Sequence, residues 1–217
     1  MEELRPGLWH WRTRHPEWRE GEPWDPNVSS YALDDGANLL LFDPLGVPDE
    51  LLARADERNP AVVLTAPWHE RDARRLGFPV WSAHPETLED LVAKGFTREQ
   101  VEAAGGSPDL RWLVHGGGEA HWFWGGDRLP FGIEAFTGWT RHDLVLWVDD
   151  CRAVVAGDTL ADFGEGIAVN TRWLPEGTTR EDVAARLRPL LDLPVELVLP
   201  AHGAPTDRAA LERALAS

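Results

Sequence analysis

One cysteine, Cys151, stands in a chain of 217 residues, so neither an intrachain disulfide nor a cysteine-rich zinc site can form. Lysine is nearly absent as well: Lys94 is the only one, and every other base is arginine. Bases are scarce in total, with 21 Lys plus Arg against 37 Asp plus Glu and a net charge of −16. Such a field repels phosphate backbones and anionic lipid surfaces. Neither nucleic acid nor a membrane is therefore an expected partner. No apolar run approaches the roughly 18 residues needed to span a bilayer. The opening Met1-Glu2-Glu3-Leu4-Arg5 is not basic and leads into no apolar stretch, so no signal peptide is expected, and a cytoplasmic protein is. The chain also lacks a G-x-S-x-G nucleophile elbow and a G-x-x-x-x-G-K-[ST] phosphate loop.

What is present is an ordinary globular balance, 43% hydrophobic and 27% charged, with an excess of tryptophan. Twelve tryptophans are spread over the chain, clustering at Trp9, Trp11, Trp18 and Trp24 and again from Trp112 to Trp147. Rings of this size fill cores and also line apolar pockets. No repeat or low-complexity linker interrupts the sequence, which predicts one domain over 1–217.

Apolar alternation predicts strands at Leu8–Thr13 and Val28–Leu33, a turn at Asp34-Asp35-Gly36, and a buried strand at Leu39–Phe42 that ends at Asp43-Pro44. A helix is expected over Pro48–Arg58, a fully apolar strand at Ala61–Thr65, a short helix ending at Leu76, a strand at Pro79–Trp81 and a helix over Glu86–Lys94. Gly95–Pro108 reads as an excursion or lid, and Leu110–Ala156 as strand after strand. Helix Thr178–Leu191, strand Val195–Leu199 and helix Asp207–Ala216, with Thr206 or Asp207 as N-cap, complete the chain. Two halves of this kind predict two mixed sheets stacked face to face with helices outside.

Three of the apolar strands run into polar loops. Val62–Thr65 leads to Ala66-Pro67-Trp68-His69-Glu70-Arg71-Asp72, Ala153–Ala156 to Gly157-Asp158-Thr159, and Leu197–Pro200 to Ala201-His202-Gly203. Buried strands are rigid platforms, and side chains just past their ends can converge on one point. Histidine nitrogen and carboxylate oxygen are the natural ligands of zinc or iron.

Taken together, these segments resemble the metallo-β-lactamase fold superfamily across nearly the whole length. Ala156–Leu160 is similar to its Gly-Asp segment, Leu199–Gly203 to its late P-x-H-G loop, Phe136–Thr140 to its P-G-H-T segment, and Leu64-Thr65 to the entry of its H-x-H-x-D-H motif. The resemblance implies an α/β, four-layer αββα sandwich. It also implies a metal site, and the sequence departs from it there. Direct alignment after Thr65 puts Ala66, Trp68, Glu70 and Arg71 at the ligand positions, while one inserted residue puts Pro67, His69, Arg71 and Asp72 there. Trp139 replaces the P-G-H-T histidine, and indole has no lone pair for a metal. His142 lies three residues further on, at a spacing that does not fit.

The resemblance thus leaves His69, Asp72, Asp158 and His202 as candidate ligands of at most one metal: zinc, iron, manganese, or none. One reading is a hydrolase of esters, thioesters or lactones, with Asp158 and Asp72 as catalytic carboxylates beside a metal-bound water. The other is a metal-free, non-catalytic relative that serves as a scaffold or holds a small molecule in a tryptophan-rich cleft. Arg71 is expected to replace cationic charge by pairing with Asp158 or Asp72. His10, His15, His84, His115 and His121 are expected as ordinary pocket or surface histidines. Cys151 is expected to be a buried thiol.

Overall fold

A computed structural model describes residues 1–93, 97, 99, 113 and 117–216. The first half forms one sheet from β1 (Glu2–Arg5), β2 (Leu8–Arg14), β3 (Asn27–Asp34), β4 (Asn38–Phe42), β5 (Asn59–Leu64), β6 (Val80–Ala83) and β7 (Ala120–Phe123), paired in that order. The β1 to β4 neighbours are antiparallel, and β4 to β7 are parallel. The second half supplies β8 (Arg128–Leu129), β9 (Ile133–Thr137), β10 (Leu144–Val148) and β11 (Ala153–Gly157). A small hairpin of β12 (Leu160–Ala161) and β13 (Ala168–Val169) follows, then β14 (Leu197–Pro200) and β15 (Thr206–Asp207). The second sheet runs β15-β14-β11-β10-β9-β8; β11 and β14 pair in parallel, and its other described neighbours are antiparallel.

Period-two alternation explains how the layers assemble. Leu8, Tyr31, Leu33, Leu40, Phe42 and Val63 face inward from the first sheet and meet Ile133, Leu144, Leu146, Val148 and Val155 of the second. On the outer face of the first sheet, Leu39, Leu41, Val62 and Leu64 pack on Leu51 of helix Asp49–Ala55 and Ala73 of helix Ala73–Leu76. On the outer face of the second, Val145, Val154 and Val198 pack on Val183 and Leu187 of helix Arg180–Leu187 and Leu211 of helix Arg208–Leu215. The result is the four-layer αββα sandwich. Strands β4, β5, β10 and β11 bury both faces, which is why they read as unbroken apolar runs. Each large aliphatic side chain so buried contributes about 1.5–3 kcal/mol.

Some expectations shift. The 178–191 helix is shorter, ending at Leu187 and continuing as a 3-10 turn over Arg188–Asp192. The strand series begins at Ala120 rather than Leu110, and Leu113 is helical, packed against the outer face of the first sheet. Strands β1 and β15 were not expected. Asp207 is the N-cap, accepting the Ala210 N–H at 2.9 Å. The lid segment Gly95–Pro108 lies, apart from Thr97 and Glu99, outside the described residues, as does His115. No helix among the described residues is long and apolar enough to cross a membrane.

Two parallel pairs, β4 with β5 and β11 with β14, present their C-terminal ends to the same edge of the sandwich. Three backbone hydrogen bonds hold these tips together: Leu144 N–H to Thr65 O at 2.9 Å, Ala201 N–H to Gly157 O at 2.9 Å, and Ser29 N–H to Ala201 O at 2.8 Å. The Ser29 hydroxyl also donates to Gly203 O, and the Tyr31 hydroxyl to Pro200 O. Glycine is required at 157. Its φ is +52°, and a Cβ there would stand 2.6 Å from Thr65 Oγ1.

Candidate functional site

The tips of β4, β5, β11 and β14 deliver Asp43, Thr65, Asp158 and His202, and the 3-10 turn Pro67–His69 carries His69 in beside them. Asp43, His69, Asp158 and His202 are each at most 5% exposed. His69 stands between two carboxylates: Nδ1 is 3.0 Å from Asp43 Oδ2, and Nε2 is 3.2 Å from Asp158 Oδ2. Asp43 also accepts the Thr65 N–H at 2.9 Å and the Thr65 hydroxyl at 2.7 Å. With its own hydrogen spent on Asp43, Thr65 Oγ1 is left to accept from His69 Nδ1, 2.9 Å away. That fixes a proton on Nδ1. Nε2 then faces a carboxylate oxygen directly, and a lone pair there would be repelled. A second proton on Nε2 resolves the contact, making His69 an imidazolium.

The electrostatics agree. Burial works against a charged ring, but Asp158 and Asp43 outweigh it and raise the His69 pKa to about 10. Burial likewise opposes the Asp158 carboxylate, yet His69 and His202 hold its pKa well below the usual carboxylate range. Asp43 is lowered by His69 and Arg71 against the same opposition. Asp143, fully buried nearby, goes the other way: burial and the charge of Asp158 push it well above the ordinary value, although the Thr159 hydroxyl donates to it.

Asp158 is the hub. Its Oδ2 accepts from Trp68 Nε1 at 3.2 Å as well as facing His69. His202 Nε2 lies 3.3 Å from Oδ1, a contact too skewed to leave Oδ1 a formed hydrogen bond. His202 Nδ1 is also buried without a partner among the described residues. The ring of His202 is walled by Trp24, Phe163 and Trp173, with centroids at 5.2, 5.8 and 5.3 Å.

Three of the four candidate ligands, His69, Asp158 and His202, are thus in mutual contact through Asp158. Asp72 is elsewhere. Its Oδ2 accepts the Gly46 N–H at 2.7 Å and pairs with Arg75 at 2.8 Å, so it takes no part in this cluster as ligand or catalytic carboxylate. The cause is local. The 3-10 turn is followed by Arg71 in the left-handed region, φ +40°, which turns the next residue outward. The expected pairing of Arg71 with Asp158 or Asp72 also fails. Its Nη1 donates to the carbonyls of Asp43 at 2.6 Å and Ser29 at 3.2 Å, and among the described residues it forms no ion pair. His142 is bound to the His84 carbonyl and to Asp90, so it does not replace the missing histidine. His15 lines the cleft, His10 is buried against Ser29 and Tyr31, and His84 and His121 stack on Trp124 and Trp81.

A cleft of about 360 Å³ opens over the cluster, walled by Trp24, Trp68, Trp139 and Trp173 and floored by His69, Arg71, Asp158 and His202. A scan against protein-family models finds no match, and a search of curated proteins finds no relative. Solved structures do match over almost the whole chain. The DIM-1 metallo-beta-lactamase is 12% identical, over 99% of this chain and 94% of that one, with a TM-score of 0.64. FIM-1 from Pseudomonas aeruginosa in its mono-zinc form is 11% identical over 98% and 91%, with a TM-score of 0.60. TTHA1623 in a di-iron-bound form is 23% identical over 86% and 92%, with a TM-score of 0.53. The chain has the metallo-β-lactamase fold. The fold suggests a metal, but the donors here do not suit one. Ala66 and Trp139 supply no ligand atom, and both His69 nitrogens face carboxylates as donors. The Trp68 N–H takes up Oδ2, one of the two Asp158 carboxylate oxygens. Among the described residues no three His, Cys, Asp or Glu side chains form a group that could hold a metal ion.

Proposed function

We propose that this protein is a metal-independent, small-molecule-binding member of the metallo-β-lactamase fold, holding a flat aromatic ligand in its tryptophan cleft. The observation that carries this is the His69 imidazolium between Asp43 and Asp158, a proton-bearing cation held at the strand tips by both carboxylates. The hydrolase reading would route attack on an ester, thioester or lactone through a metal-bound water. It loses Asp72, and it leaves Asp158 Oδ2 already shared by Trp68 and His69.

The cleft suits a binding role. Its volume of about 360 Å³ falls in the range of small-ligand sites. Trp68 and Trp139 meet edge to face at 6.0 Å, and Trp139 and Trp173 lie 6.2 Å apart, so indole surfaces line two sides. Aromatic contacts contribute about 0.5–1.5 kcal/mol beyond their buried area. Chelator-treated protein is expected to bind 2-(2-naphthyl)ethanol by calorimetry. Trp173→Ala should weaken that binding about tenfold, the loss of roughly one such contact plus its area. Absence of binding, or hydrolysis of 2-naphthyl acetate that needs added zinc and disappears in His202→Ala, contradicts the proposal.

A further inference from the structure

We infer that Arg172 is a clasp, a positioning residue that from outside the cleft fixes the aromatic walls against which the ligand packs. This rests on the reading of the cleft as an aromatic ligand site. The ring of His202 is covered by Trp24, Phe163 and Trp173, and each comes from a different segment. Trp24 belongs to the loop 15–26 between β2 and β3, Phe163 to the turn 162–167 of the β12–β13 hairpin, and Trp173 to the chain just past β13. Arg172 stands in the third segment and touches both of the others. Its Nη1 donates to Pro23 O, next to Trp24, and its guanidinium lies 4.1 Å from the centre of the Phe163 ring.

Both ends of the clasp are anchored. The Arg172 N–H donates to Asn170 Oδ1 at 3.0 Å, and Asn170 Nδ2 donates to Asp158 O at 3.1 Å. Asn170 is buried, so the clasp is rooted at the β11 tip that also carries Asp158. On the other side, the loop 15–26 is closed on itself by His15 N–H to Pro26 O at 2.7 Å, and Trp18 Nε1 donates to Trp24 O at 2.8 Å. A loop of this kind is packed by its own side chains, so a grip on Pro23 is passed on to Trp24.

Packing alone does not hold Trp24 in place. Behind it, away from the tryptophan cleft, lies a second cavity of about 400 Å³ bounded by Arg12, Asp25, Asp162 and Phe163. Trp24 is the partition between the two spaces, with room on both sides. A ring in that position keeps one orientation only if its backbone is tied down, and Pro23 O is where Arg172 ties it. Arg172 itself lines neither cavity, so it acts on a ligand through these walls and not by contact. Walls fixed in advance lower the ordering cost of binding.

The 2-(2-naphthyl)ethanol probe and the chelator-treated full chain test this. By calorimetry, Arg172→Ala is expected to bind the probe about tenfold more weakly than wild type, the scale of one lost charge-assisted hydrogen bond. Stopped-flow tryptophan fluorescence should place most of that change in a faster dissociation rate. Arg172 is exposed, so the urea midpoint of the variant should stay at the wild-type value. Arg172→Lys keeps a donor for Pro23 O without the planar contact to Phe163, and should keep part of the affinity. In a Trp24→Ala background, Arg172→Ala should cost at most about twofold more, since the wall it chiefly positions is gone. Unchanged affinity in Arg172→Ala, a loss of affinity matched by a loss of folding stability, or a loss that adds in full to that of Trp24→Ala overturns this inference and leaves the aromatic site standing. No binding of the probe by the wild type overturns both.

Discussion

Asp158→Ala is expected to destabilise the chelator-treated protein by about 3–5 kcal/mol, the range found when one member of a buried ion pair is removed. The charge left behind belongs to His69, which would keep Asp43 at 3.0 Å and lose Asp158 at 3.2 Å. The Trp68 N–H would also lose its acceptor. The sign of the change is diagnostic. In a metal site emptied by chelator, a buried carboxylate faces neutral ligands and other acids, and deleting it is neutral or stabilising. In an ion-paired cluster, deleting it exposes an unbalanced cation. Urea unfolding at pH 7.5, compared through midpoints at constant slope, measures the difference. Asp158→Asn keeps the shape and removes only the charge, so it should fall between wild type and alanine.

Asp43→Ala is expected to cost at least about 3 kcal/mol, although Asp43 lies beneath the cleft and does not line it. It holds the second counter-charge of His69 and accepts from both the backbone and the hydroxyl of Thr65. A buried N–H without an acceptor costs about 1–3 kcal/mol by itself. Because Asp43 and Asp158 share one imidazolium, their effects should not add. With both gone, His69 can shed its proton and sit in the core as a neutral ring. The double variant should therefore be less destabilised than the sum of the singles, with a coupling in the range of about 0.5–3 kcal/mol. Additive losses would mean that the two carboxylates do not share His69.

The sequence made the buried strands legible because β4, β5, β10 and β11 are apolar on both faces and flanked by turn residues. Edge strands were harder. Thr206–Asp207 is too short to show a period, and Glu2–Arg5 is mostly charged. Within the site, strand-tip logic singled out Asp158, His202 and His69. In the sequence Asp43 marks only the end of a strand, since Asp-Pro is an ordinary stop signal. Its role comes from the parallel register that sets Phe42 opposite Val63 and so places Asp43 against Thr65. A lone acid directly after four apolar residues was the available clue. Asp72 was misplaced because motif spacing counts residues, whereas a 3-10 turn followed by a left-handed arginine changes where each one points. Trp68 and Trp139 were recognised as losses of ligands. That Trp68 hydrogen-bonds Asp158, and that both wall a cleft, follows only from the three-dimensional arrangement.

Metal content per chain, measured by plasma mass spectrometry after reconstitution with zinc, iron or manganese and removal of loosely bound ions, tests the central point most directly. With His69 protonated between Asp43 and Asp158, the result should be far less than one ion per folded chain for each metal. One tightly held ion per chain, lost in both Asp158→Ala and His202→Ala, would contradict it.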